Sequence, residues 1–166
     1  QFYDFHPISA QQIFDAVAAR GIARGDITEA VLSLHDQDHY GGLAAVDTLA
    51  RLGGIDARAR VLDLCAGLGG PARFLASRRG CAVVAVELNA GRAAGAGRLT
   101  RLVRLHGRVR IVRADATRLP FAAARFDACL SQEALLHIAD KTAVLREAHR
   151  VLAPGGRLAF TDWVTR

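Results

Sequence analysis

Two rhythms of apolar and polar residues divide the chain. Up to about residue 56, apolar positions recur at helical spacing. Ser9 to Arg20 has a stripe of Ile13, Phe14 and Val17, with Ser9 and Gln12 spaced as a capping box and Gly21 as a stop. Asp26 to Leu34 starts in the same way, with Asp26 and Glu29 as its box. Leu43 to Leu52 carries Leu43, Val46, Leu49 and Ala50 on one side and ends at Gly53-Gly54. Beyond this point short apolar runs alternate with helical stretches. Strands are predicted over Arg60–Cys65, Cys81–Glu87, Arg108–Asp115, Arg125–Gln132 and Arg157–Val164. Helices are predicted over Pro71–Gly80, Ala90–Leu105 and Asp140–Leu152, the last ended by Pro154-Gly155-Gly156. Strands joined by helices of this length form βαβ units and a parallel sheet. The expected architecture is α/β: a Rossmann-like parallel sheet with flanking helices over residues 57–166, and an N-terminal helical cap over residues 1–56.

Composition changes this picture little. With 166 residues and 51% apolar content, one compact core is expected. No apolar run is long enough to span a membrane, and the first ten residues lack a basic-then-apolar signal pattern. Cys65, Cys81 and Cys129 have no paired spacing and sit in apolar runs, so reduced thiols and a cytoplasmic setting are expected. The net charge of +6 is concentrated: nine arginines and one acid, Glu87, lie between Arg78 and Ala114. Such a stretch suits either a nucleic-acid surface or a solvated helix and loop. It has no interleaved aromatics for base stacking, so the solvated reading is preferred and a nucleic-acid partner is not expected.

The chemistry concentrates in "VLDLCAGLGG", between the first strand and its helix. Ligands of open parallel sheets bind beyond the carboxyl ends of the strands, and glycines there let backbone approach closely. Glu87 ends the second strand twenty residues after Gly67. An acid at that place can accept both hydroxyls of a ribose. Asp63 lies inside the first strand, where burial is costly unless a cationic ligand gives the carboxylate a partner.

A second polar cluster is "LHDQDHYGG", Leu34 to Gly42. His35 and His39 are four apart with Asp36 beside the first, the outline of a helical zinc pair with Asp in place of Glu. No third ligand is indicated, and Gly41-Gly42 ends any helix there. The preferred reading is a lid before the helix that feeds the first strand. In it Gln37 and Tyr40 reach toward a ligand. A solvated turn is the alternative.

Together "VLDLCAGLGG", "VVAVELN", "RADATRLPF", "FDACLSQEALLHI" and "VLAPGGRLAFTDW", in this order from Arg60 to Trp163, resemble class I S-adenosylmethionine-dependent methyltransferases. The resemblance implies S-adenosylmethionine as cofactor. It implies that Asp63, Cys65, Ala66 and Gly67 line its methionine end, with Ser131 nearby. Glu87 and Leu88 would hold the ribose and flank the adenine, while Asp115 and Ala116 would meet the adenine amino group. The usual D-x-G-x-G-x-G has Cys65 at its first glycine, so a less extreme turn is expected there.

The sequence lacks the N/D-P-P-aromatic tetrad of amino-directed DNA methyltransferases and the Pro-Cys of cytosine-C5 enzymes. Arsenite methylation needs several exposed thiols, and Cys129 is expected mid-strand. "FHPISAQQIFDA", "HDQDHYGGLAAVDTLA" and "GLGGPARFLA" are similar to the small-molecule branch with sarcosine/dimethylglycine N-methyltransferases. This resemblance implies a small acceptor, an amine ahead of carbon or oxygen. Gln132, Glu133 and His137 are the groups expected near it, Glu133 for a cationic amine and His137 for a proton, with Tyr40 from the lid. The family sheet has seven strands and only five are read here. The missing C-terminal strands would leave the fifth as an open edge, a template for homo-oligomers. A cofactor-binding module without turnover is the competing expectation.

Overall fold

The computed structural model of the chain describes residues 9–164; the Phe5–Ile8 part of the N-terminal motif lies outside them. α1 (Ala10–Ala19) begins with the expected box: the Ser9 hydroxyl accepts from the Gln12 amide, and the Gln12 side chain accepts from the Ser9 amide at 2.8 Å. The second helix departs from expectation. Asp26 closes a short 3-10 turn, and α2 is only Glu29–Leu32, capped by Thr28. Ile27 is extended and buried. Turning it inward breaks the helix that Asp26 would have started. α3 (Gly42–Leu52) completes the N-terminal helices and buries Val46, Leu49 and Ala50.

Five parallel strands follow: β1 (Arg60–Leu64), β2 (Ala82–Glu87), β3 (Val109–Arg113), β4 (Phe126–Gln132) and β5 (Leu152–Thr161), in the order β3-β2-β1-β4-β5. α4 (Gly70–Arg79), α5 (Ala90–Leu102) and α6 (Lys141–Val151) connect them. Alternation splits the core by face. Val61, Val83, Ala85, Ala128 and Leu130 pack with α3 and α4, whereas Leu62, Leu64, Val86, Cys129 and Val144 pack on the opposite side with α6. A third cluster joins α1 and α2 to Leu99 of α5 and to Leu68.

Several boundaries move. α5 stops at Leu102 rather than Leu105, because Arg104 is left-handed (φ 58°). The Leu105 amide then donates to Thr100 O and the Arg104 amide to Arg101 O, a Schellman ending with Arg where glycine is usual. α6 ends at Val151, ahead of Pro154, because Leu152 already pairs with Phe126. The register then shifts, pairing resumes at Arg157 opposite Ala128, and the strand stops at Thr161 instead of Val164. β3 ends at Arg113, so Asp115 lies in the loop beyond it. β5 is one edge of the sheet, as expected. No helix among the described residues is long and apolar enough to cross a membrane.

Candidate functional site

The strand order reverses at β1: β2 and β3 lie to one side, β4 and β5 to the other. Crevices open at such switch points, at the strands' carboxyl ends. Here the cleft has a volume of about 1160 Å³, and a smaller cavity of about 50 Å³ adjoins it. Cys65, Gly67 and Gln132 line both. Glu87, Leu88, Asp115, Ala116, Glu133 and His137 line the cleft, whereas Asp63 and Ala66 line the small cavity. The expected set therefore converges, with three exceptions. Gln37, Tyr40 and Ser131 line neither space. Tyr40 is 76% exposed, with its ring edge-on to Trp163, while Ser131 is sealed inside β4.

Strand alternation explains the convergence. Asp63 follows Val61 by two on β1, Glu87 follows Ala85 on β2, and Gln132 follows Leu130 on β4. All three therefore belong to the α4 face at the carboxyl end. Glu87 Oε2 accepts from the Gly67 amide at 2.9 Å and Oε1 from the Asn89 amide at 2.7 Å. The carboxylate thus clamps the glycine loop while facing the cleft. Asp115 Oδ1 accepts from both the amide and the hydroxyl of Thr117.

Asp63 is buried, and its Oδ2 has no hydrogen-bond partner. Burial, and then the nearby Glu87 charge, push its carboxyl up to about 7, with Arg73 pulling the other way. Burial, followed by Glu87, Asp63 and Asp115, raises the Cys65 thiol to about 12, so it stays protonated and is no nucleophile. Cys65 also overturns the expectation of a milder turn: its φ is 59°, fully left-handed. The loop keeps the glycine conformation although it carries a side chain.

The strap over the site is held by Asp38, Arg73 and Arg92, which the sequence reading passed over, and by Asp36, read there only as part of a zinc-like outline. Asp36 Oδ2 meets Arg73 Nη2 at 2.6 Å, both side chains buried, and Asp38 Oδ2 meets Arg92 Nη2 at 3.0 Å. A signal existed: an arginine among small and apolar residues in "PARFLA" requires a buried anion. Gly70 lies so close under the strap that a Cβ there would collide with Asp36 O. Glu133, read as a site for a cationic amine, instead accepts from the Tyr40 amide at 2.7 Å and from Trp163 Nε1 at 3.2 Å. His39 Nδ1 lies 3.1 Å from Gln132 Nε2, and its Nε2 lies 3.1 Å from Gln37 Oε1. Among the described residues no group of three or more His, Cys, Asp or Glu is placed to hold a metal.

The arginine stretch is largely engaged within the chain. Arg78 lies over the Phe74 ring, Arg79 pairs with Asp47, and Arg92 pairs with Asp38. Arg108 donates to Gly80 O and Arg113 to Leu88 O.

The profile of a methyltransferase domain matches residues 62–160. A demethylmenaquinone methyltransferase of Mycolicibacterium paratuberculosis is 39% identical over 98% of this chain and 63% of its own length. A glycine/sarcosine/dimethylglycine N-methyltransferase of Actinopolyspora halophila is 35% identical over 72% of this chain and 22% of its own. The chain thus spans less than two thirds of either. Among solved structures, the [4+2]-cyclase SpnF superposes with a TM-score of 0.70 at 29% identity, over 76% of this chain and 48% of that one. A geranyl diphosphate C-methyltransferase from Streptomyces coelicolor, solved with S-adenosyl-L-homocysteine, gives 0.66 at 25% identity, over 70% and 44%. With its five parallel strands, glycine loop and strand-end acid, the chain belongs to the class I S-adenosylmethionine-dependent methyltransferases.

Proposed function

We propose that this chain binds S-adenosylmethionine and serves methyl transfer to a small-molecule acceptor, an amine of the sarcosine or dimethylglycine type. The observation that carries the cofactor reading is Asp63. Its orphaned carboxyl oxygen, in a carboxyl raised to about 7, borders a cavity of about 50 Å³ next to the glycine loop. An ammonium group fits this need: it brings hydrogen-bond donors to the orphaned Oδ2 and a positive charge beyond that of Arg73. Glu87, held by two backbone amides, offers its remaining acceptor capacity to ribose hydroxyls. Leu88, 62% exposed on the cleft, gives an apolar face for a base, and Asp115 Oδ2 is left to accept an exocyclic amine.

When bound, S-adenosylmethionine supplies an electrophilic methyl group on sulfonium. The chain's part is to orient an acceptor lone pair in line with it and to keep water out, which is the larger share of such catalysis. Gln132 and His137 line the cleft and are the polar groups read as meeting the acceptor, His137 for a proton. The strap closes the methionine side.

A carbon acceptor is the second reading. It is favoured by the demethylmenaquinone methyltransferase match over almost the whole chain. The experiment is calorimetry with S-adenosylmethionine and S-adenosylhomocysteine, followed by labelled-methyl transfer to sarcosine, dimethylglycine and a demethylmenaquinone analogue. Binding without transfer to any of them would favour a cofactor-binding module. Absence of binding would remove the proposal.

A further inference from the structure

A chain of polar contacts runs from the buried ion pair to the cleft, and with the His39 ring neutral it has one polarity. Asp36 accepts from Arg73 Nη2 through Oδ2 and from Gln37 Nε2 at 2.8 Å through Oδ1. A carboxylate paired with arginine only accepts, so the Gln37 amide nitrogen must face it, and Gln37 Oε1 must face His39. That oxygen only accepts, so His39 Nε2 carries the hydrogen at their 3.1 Å contact. In the neutral ring Nδ1 is then a lone pair. The group opposite it, 3.1 Å away, must be the donating Nε2 of Gln132. Gln132 therefore turns its Oε1 away from His39. That oxygen has no hydrogen-bond partner, and Gln132 is the one β4 side chain that lines both the cleft and the small cavity.

We infer that His39 is a positioning residue. It fixes the Gln132 amide so that Oε1 selects acceptors whose nucleophilic atom carries a hydrogen, primary or secondary amines ahead of tertiary ones. The inference rests on the methyl-transfer reading of the same cleft. In the step, the amine nitrogen gives its lone pair to the methyl carbon, and the carbon–sulfur bond breaks with its electron pair left on sulfur. The nitrogen becomes cationic. Its N–H grows more acidic as charge develops, so the hydrogen bond to Oε1 strengthens toward the transition state. The proton then passes to His137, the group read above as taking it, or to solvent as the product is released. A tertiary amine has no such hydrogen and leaves Oε1 unpaired. Were Nδ1 protonated, it would donate to Tyr40 O, 3.2 Å away, and the Gln132 amide would lose its fixed orientation.

The test compares sarcosine with dimethylglycine as acceptors, using the full chain, its His39→Leu and its His39→Asn variants. The readout is the ratio of kcat/KM for the two acceptors within each protein. That ratio cancels any loss of folded protein or of cofactor binding, which a merely structural role would produce. Wild type is expected to prefer sarcosine by about tenfold or more. His39→Leu should bring the ratio close to one, and His39→Asn, whose amide oxygen can still accept from Gln132, should restore most of it. Equal use of both acceptors by wild type, an unchanged ratio in His39→Leu, or transfer to neither acceptor by a protein that binds S-adenosylhomocysteine overturns the inference. Failure to bind S-adenosylhomocysteine overturns the cofactor reading itself, which separates the two.

Discussion

Asp36 and Arg73 form an ion pair sealed from solvent, 2.6 Å from Oδ2 to Nη2, in which the strap's carboxylate meets a guanidinium that also donates to the glycine-loop carbonyl of Leu68 at 2.7 Å. One arginine therefore holds both the floor and the cover of the site. Removing one partner strands the other charge in the interior. Asp36→Ala should cost about 3–5 kcal/mol in urea unfolding, and Arg73→Met a similar amount. The double variant should cost clearly less than the sum. Additive losses would show that the two charges do not depend on each other.

Asp63 gives a pH dependence with a definite sign. Its folded carboxyl ionises near 7, against 3.8 for the ordinary group. A raised folded value means that its favourable contribution is complete below the unfolded value and is lost as pH rises toward 7. Asp63→Asn should therefore leave the ligand-free protein about as stable at low pH. At pH 8 it should add on the order of 3–4 kcal/mol, read from denaturant midpoints. S-adenosylhomocysteine affinity should move the other way. In wild type it should rise with pH through about 7, as the carboxylate forms, and in Asp63→Asn it should be weak and flat.

Cys65 adopts a backbone conformation that costs a residue with a Cβ roughly 1–2 kcal/mol. Cys65→Gly should recover about 1 kcal/mol of this in thermal unfolding. Cofactor affinity should change little, because the turn is already the one a glycine would take. A loss of stability would mean that the thiol's packing outweighs the strain.

Gly67 is constrained from two sides. Its φ is +56°, and a Cβ would lie 2.6 Å from Arg92 Nη2. Gly67→Ala should push that guanidinium off Asp38 and lower S-adenosylhomocysteine affinity by about tenfold or more, beyond the ~1–2 kcal/mol of backbone strain. Adding Arg92→Ala should recover part of the affinity if the clash is the cause.

The sheet was legible because buried strands and their helices obey strong local periods; Glu87 followed from its spacing, Asp63 from the cost of burying an acid in a strand, and Gln132 only from the family resemblance. The misplaced helix starts and stops had tertiary causes: burial of Ile27, the early pairing of Leu152 with Phe126, and an arginine accepting a left-handed cap at Arg104. The strap was legible as a lid but not in its parts. The lid reading gave Gln37 and Tyr40 as its contacts, whereas Asp36 and Asp38 anchor the strap through arginines on two helices. Charge partners far apart in sequence leave no period to read.

The single tryptophan of the sequence, Trp163, lies 5.4 Å edge-on from the Tyr40 ring and shares Glu133 with the Tyr40 backbone. The protein therefore carries its own optical gauge of the strap. A displacement of that segment would change the surroundings of one indole, so emission at tryptophan wavelengths would report it without an attached dye.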